Sequence, residues 1–245
     1  MTEPGRLERP AFYALRPGGW RDLLTLLHPP YTAWHLSYVA IGAAVAPHLY
    51  GNRLAWTLVA FLLAVGVAAH ALDELHGRPL RTRMSDRTLV LLAAFSLLGA
   101  GAIGVVGALT ISLWLLVFLA VGLLLAIAYN LELFGGRLHS DLWFAIAWGA
   151  FPAFTAFWAQ AGELRATGVA VAGACTMLSA AQRRLSTPVR ELRRRTVALS
   201  GEQQLTTGRI VELDATSLAA PMEDALLACA AGLVLLAAGL VAARL

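Results

Sequence analysis

Apolar residues fill this chain in long, nearly unbroken stretches, not at the intervals of three to four or of two that mark a half-buried helix or strand. The stretches run from about Pro30 to Leu49, Leu54 to Leu75, Leu89 to Gly107, Leu109 to Tyr129, Leu142 to Ala161, Leu164 to Gln182 and Ala225 to Ala243. Crossing ~30 Å of hydrocarbon takes roughly 20 apolar residues. Lipid offers the backbone no hydrogen-bond partner, so each stretch should be helical. The pattern predicts an all-α, polytopic membrane bundle of about seven transmembrane helices, one membrane domain over residues 1–245. Arg165 makes the sixth span the least regular.

The polar segments between the stretches set an orientation. All 19 basic residues are arginine. Arg6, Arg9, Arg16 and Arg21 lie in an arm over residues 1–29, which has no apolar run before a small-residue cleavage site and so no expected signal peptide. Further arginines follow the second, fourth and sixth stretches, while the opposite side keeps Arg53, Arg165 and Arg244. The positive-inside rule then puts the arm and the even-numbered loops in the cytoplasm of a multi-pass protein of the cell inner (plasma) membrane. Residues 183–221 become a basic cytoplasmic loop. Its first part, 183–198, reads as a short interfacial helix interrupted by Pro188, and 201–221 shows no clear period.

Composition agrees, with 58% hydrophobic and 14% charged residues, against about 25% charged in soluble domains. A net charge of +4 could suggest nucleic acid, but the arginines sit where topology places them, so no nucleic-acid partner is expected. Cys175 and Cys229 stand in apolar stretches without CxxC spacing and read as small buried hydrophobes.

Candidate chemistry collects at the cytoplasmic ends. HALDELHGRP, residues 70–79, puts His70, Asp73, Glu74 and Gly77 on one helical stripe. Ionisable groups at membrane depth usually face a bundle interior, and carboxylates with imidazoles could hold Mg²⁺. A polar helix end paired with Arg78 or Arg81 fits the stripe equally well. In YNLELFGGRLHSD, residues 129–141, Tyr129 ends a helix, Gly135 and Gly136 make a turn, and Arg137 and His139 supply donors for a phosphate. An ordinary interfacial turn explains that stretch too. The arginines after the sixth span could neutralise a diphosphate, bind anionic headgroups or only enforce topology. Trp148, Phe151, Phe154, Phe157 and Trp158 on the fifth span suggest a greasy cavity below a cationic mouth.

Together these stretches resemble the UbiA superfamily of intramembrane prenyltransferases over roughly residues 20–200. HALDELHGRP stands where that family has an aspartate-rich motif ending its second helix, and residues 129–162 match its Tyr, basic loop and fifth helix. The resemblance implies transfer of a prenyl group from a polyprenyl diphosphate to an aromatic or lipid acceptor. Asp73 would be a metal ligand, with Glu74 or His76 assisting, and Tyr129 and Arg137 would face the allylic diphosphate. With the cationic mouth, His70, His76, Arg78, His139, Arg183 and Arg190 become candidate substrate contacts. The polar pocket should form where the second, fourth and sixth spans end. The chain departs from the family at several points. One aspartate of the first motif has become histidine, with Asp73/His76 and His70/Asp73 both possible registers. AQRRLSTPVRELRRR replaces the second acidic motif, and arginine could take over part of the metal's charge. About seven helices stand in place of nine. A non-catalytic protein binding an isoprenoid lipid or a membrane-protein partner, and a UbiA-type terpene cyclase, are the alternatives. A transporter fits less well, because the ionisable groups gather at one face, not the midplane.

Overall fold

The computed structural model describes residue 7 and residues 9–244; Arg6, assigned above to the cytoplasmic arm, lies outside the described residues. The elements in chain order are α1 (Trp20–Leu26), α2 (Pro29–Ala44), α3 (Gly51–Leu75), α4 (Asp86–Thr110), α5 (Leu115–Asn130), α6 (Asp141–Ala161), α7 (Ala166–Arg194), β1 (Ser200–Gln204), β2 (Ile210–Asp214) and α8 (Ala215–Ala242).

Four of these helices, α3, α4, α6 and α8, are long and apolar enough to cross a membrane. Only 22% of the most apolar window of α4 and of α8 is buried inside the protein. Phe95, Leu98, Leu109 and Leu235 are each at least 68% exposed. So large an apolar surface is stable in lipid and not in water. The seven spans expected from the sequence reduce to these four by length and composition. Helices α2 and α5 have 16 residues each, about 24 Å at 1.5 Å per residue. Helix α7 is long, but its second half is polar.

The chain departs from the expected boundaries where local chemistry outweighs hydropathy. Arg165 is not inside a span; it is the N-cap of α7 and pairs with Glu163. Residues 166–194 form one continuous helix through Pro188, not a span followed by a separate interfacial helix. The hydroxyls of Ser186 and Thr187 bond the Arg183 carbonyl in the turn before Pro188, at 3.3 and 2.8 Å. Where the stretch 201–221 shows no clear period, the chain forms an antiparallel hairpin over residues 200–214, Ser200 opposite Asp214 and Gln204 opposite Ile210. Gly208, at φ +83°, makes the turn. Asp214 and Ser217 then form a reciprocal capping box, so α8 starts at Ala215 and not near Ala225.

Helix α2 is the centre of the bundle, with α6 and α8 packed along it and α7 against α6 and α8. Trp34, Tyr38, Ile41, Ala153, Cys175 and Leu226 form one core at that junction. Two glycines permit the approach. A Cβ on Gly42 would lie 2.1 Å from the Ala153 carbonyl oxygen, and one on Gly149 would lie 2.5 Å from that of Cys175. Membrane helices lack a hydrophobic drive toward each other and depend on such close contact. Gly173, on the same helix as Cys175, meets nothing within 4 Å.

Gly42→Ala should therefore lower the thermal midpoint in detergent, by overpacking worth about 1–3 kcal/mol. Gly173→Ala should leave it unchanged or raise it, since alanine is the better helix former. Equal midpoints for the two variants would contradict the close α2–α6 contact.

Candidate functional site

Two cavities meet inside the bundle. One, of about 410 Å³, opens at the arginine-rich end where α3, α5 and α7 finish. The other, of about 560 Å³, is apolar and lies among α3, α4, α5 and α6, lined by Phe61, Gly104, Phe118, Gly122 and Phe151. Val65 and Trp148 line both, so the cavities share a wall.

Each shared wall residue sits in a π-helical turn, Leu62–Ala69 in α3 and Ile146–Ala150 in α6. Such turns leave the backbone irregularly paired and recur at functional sites. Pro152 has no N–H to give the carbonyl four residues back, that of Trp148. His35 on α2 supplies the donor instead, its Nδ1 lying 2.8 Å from the Trp148 carbonyl oxygen. In α3, His70 Nδ1 lies 3.1 Å from the Gly66 carbonyl oxygen.

The aspartate-rich stretch divides into two roles. Asp73 lines the polar cavity together with His70, so of the two possible registers these are the residues that share it; His76 is exposed and lies outside. Glu74 is fully buried but faces away, and the single stripe expected to carry both acids does not form. Its carboxylate accepts from Leu80 N and Thr82 N, both at 2.8 Å, and from Thr82 Oγ1 at 2.9 Å. It therefore anchors the loop after α3 and is not available as a metal ligand. Arg78, in the left-handed region at φ 55°, is engaged in the same loop, bonding the Met84 carbonyl at 2.6 Å and pairing with Asp86.

Tyr129 lines the polar cavity, its hydroxyl buried without a hydrogen-bond partner and its ring stacked on His139 at 4.5 Å. Arg137, two residues before His139, is exposed and outside the cavity, because the turn at Gly135 and Gly136 directs the loop away. The cationic lining comes from α7. Arg183 pairs with Asp141 at 2.8 Å, and Arg194 donates to the Pro10 carbonyl at 3.1 Å. Arg190 has only the hydroxyls of Thr187 and Ser186, at 2.9 and 3.4 Å, and no carboxylate partner among the described residues. Burial and the adjacent Arg183 and Arg194 push the Arg190 pKa down. A guanidinium crowded by two others and left without a carboxylate among the described residues, as Arg190 is, is what an anion would relieve.

Mg²⁺ fits this lining poorly. Among the described residues no group of three or more His, Cys, Asp or Glu comes together to hold a metal ion. Of the expected ligands only Asp73 reaches the cavity, and the other carboxylates on its lining, Glu132 and Glu191, do not gather with it into a group that could hold the ion.

Several lining residues escaped the sequence analysis. Tyr13, His28, Tyr31, His35 and Gln182 all line the polar cavity. A signal for three of them was present, since His28, Tyr31 and His35 recur at steps of three and four along α2. Tyr13 was hidden because the N-terminal segment has no period; it reaches the site through carbonyls held by Arg193 and Arg194. No family model matches the chain, and no curated protein or solved structure is significantly similar to it.

His28 is stacked at 4.0 Å on His70, and burial followed by the repulsion of His70 lowers its pKa well below the ordinary 6.5. The folded state then binds fewer protons than the unfolded one, so stability is full above about pH 6.5 and falls as pH drops below it. His28→Asn should flatten the decline of the thermal midpoint between pH 7 and pH 5. An equally steep decline in the variant would show that His28 does not carry it.

Proposed function

We propose that this chain is a UbiA-like intramembrane prenyltransferase that takes a polyprenyl diphosphate from the bilayer. The observation that carries the proposal is the shared wall at Val65 and Trp148, which sets an arginine-lined polar cavity directly against an apolar one. An amphiphile with a phosphorylated head and a hydrocarbon tail has that division of polarity. The head would lie against Arg183, Arg190 and Arg194, and the tail among Phe61, Phe118 and Phe151. In this proposal α2 to α8 are the seven transmembrane segments, the two short ones sheltered in the bundle with the bilayer thinned around them, and the arginine-rich end faces the cytoplasm of the plasma membrane.

The chemistry would run by displacement at the allylic carbon. The C1–O bond breaks, the bonding pair leaves with the diphosphate, and guanidinium hydrogen bonds stabilise the growing negative charge. The aromatic faces of Tyr129 and Trp148 flank the cation left on the prenyl group. The acceptor's nucleophilic atom then bonds to C1 and loses its proton, for which Asp73 is the nearby carboxylate. The arginines take the charge-neutralising part that Mg²⁺ has in the family. A second reading, a non-catalytic isoprenoid-binding protein or part of a complex with a membrane partner, is favoured by the missing metal-ligand group among the described residues.

The test uses labelled geranylgeranyl diphosphate and the purified protein in detergent, following binding and diphosphate release. Loss of a charge-assisted hydrogen bond, about 1.5–3 kcal/mol, predicts that Arg190→Gln weakens binding roughly ten- to a hundredfold. Asp73→Ala should bind but release little, and EDTA should cost less activity than Arg190→Gln. Binding without release in the unaltered protein supports the second reading. No binding rejects both.

A further inference from the structure

Four histidines line the polar cavity, and all four hold their rings in the same way. His28 Nδ1 lies 2.8 Å from the Leu26 carbonyl oxygen and His35 Nδ1 2.8 Å from that of Trp148. His70 Nδ1 lies 3.1 Å from the Gly66 carbonyl oxygen and His139 Nδ1 3.0 Å from that of Tyr129. A carbonyl oxygen can only accept, so each Nδ1 must carry the proton. A neutral imidazole protonated there has its lone pair on Nε2. None of the four Nε2 atoms is hydrogen-bonded among the described residues, and neither is the buried Gln182 Oε1. The Asp73 carboxylate, on the same lining, likewise accepts nothing from the described residues.

The cavity thus presents two opposed sets of groups. Of the guanidiniums of Arg183, Arg190 and Arg194, only that of Arg183 has a carboxylate among the described residues, Asp141, so the group as a whole has room for an anion and Arg190 most of all. The imidazoles, Gln182 and Asp73 want donors, and Gln182 Oε1 is fully buried without one, which is costly. A bare phosphate or diphosphate satisfies the first set and sets oxygen lone pairs against the second. A metal ion is not the answer for the histidines, since no three such ligands cluster among the described residues. A molecule that joins phosphate to several hydroxyls meets both sets at once.

We infer that the polar cavity recognises a polyhydroxylated phosphate, a small polyol or sugar phosphate, with its phosphate on the α7 arginines and its hydroxyls donating to the Nε2 atoms of His28, His35 and His70. The inference rests on the phosphate-binding role proposed above and narrows it. The prenyl acceptor, or the head of the bound lipid, becomes a polyol phosphate, and a phenol with its single hydroxyl leaves most of the acceptors unmet.

Isothermal titration of the purified protein in detergent micelles tests this with three probes: inorganic diphosphate, glycerol 3-phosphate and propyl phosphate. The last two share a phosphate monoester on a three-carbon chain and differ in hydroxyls. Glycerol 3-phosphate should bind about tenfold or more tightly than propyl phosphate, because a site built to accept from hydroxyls rejects the analogue without them. His70→Phe should remove most of that preference, weakening glycerol 3-phosphate far more than propyl phosphate. Gln182→Met is the second variant, suited because Oε1 has no partner in the protein to lose; it too should reduce the preference. Equal affinity for the two monoesters, with diphosphate still bound, overturns the polyol inference and leaves the phosphate site standing. Failure of all three probes to bind overturns both. A variant that weakens all three probes equally overturns the assignment of its residue.

Discussion

A backbone carbonyl that a helix leaves irregularly paired inside an apolar bundle needs a side-chain donor, and this need organises the polar end of the protein. The π-helical turns in α3 and α6 present such carbonyls, at Gly66 and Trp148, and a histidine meets each one. At Trp148 the cause is visible in the sequence, since Pro152 removes the donor four residues on. The His35 bond ties α2 to α6 at the level where the polar and apolar cavities meet. It also fixes the imidazole tautomer, so a bond that repairs a helix leaves a bare acceptor on the cavity wall.

The apolar surfaces of α4 and α8 concentrate charge in what remains. With their outer faces given to lipid, ionisable side chains are affordable at the helix ends or against one another. The opposite outcomes for adjacent acids follow from this. Glu74 is buried because backbone N–H groups of the following loop satisfy it, and that loop in turn fixes the end of α3. Asp73, one residue earlier and about 100° around the helix, is left to the cavity. Along α7 the contrast is similar. Arg193 is bonded to Glu223 on α8 and to the Arg9 carbonyl, and serves packing. Arg190, one turn back, keeps its charge unpaired among the described residues and faces the space where a ligand would sit.

This division bears on the substrate. The carboxylates on the polar cavity's lining, Asp73, Glu132 and Glu191, do not converge as a metal cage would require, and they stand among imidazoles and guanidiniums. Under the proposed function, charge neutralisation by arginine and recognition of hydroxyls by imidazole would be two parts of one scheme. The apolar cavity next to it, walled by the aromatic rings of α3, α5 and α6, has no polar task and suits a hydrocarbon chain.

The amino-acid pattern alone determined that the chain forms long apolar helices of the kind that cross a membrane, and that polar residues, among them Asp73, Tyr129 and the arginines of α7, gather at helix ends. Those conclusions need only composition and spacing, because hydrocarbon admits few backbone solutions and expels charge wherever it falls. What neighbours supply could not be read from spacing. Glu74 and Arg78 look like site residues until the loop that they hold is seen, and Arg137 looks like a phosphate donor until its turn carries it outward. His28, His35 and Tyr13 join the site only through helix crossing and through carbonyls held by arginine. The hairpin and the unbroken α7 depend on one glycine turn, one capping pair and a few hydroxyls, each too local to alter the hydropathy pattern. Tertiary structure decided these because a side chain's role depends on which unpaired group lies opposite it, and that is a property of two segments together.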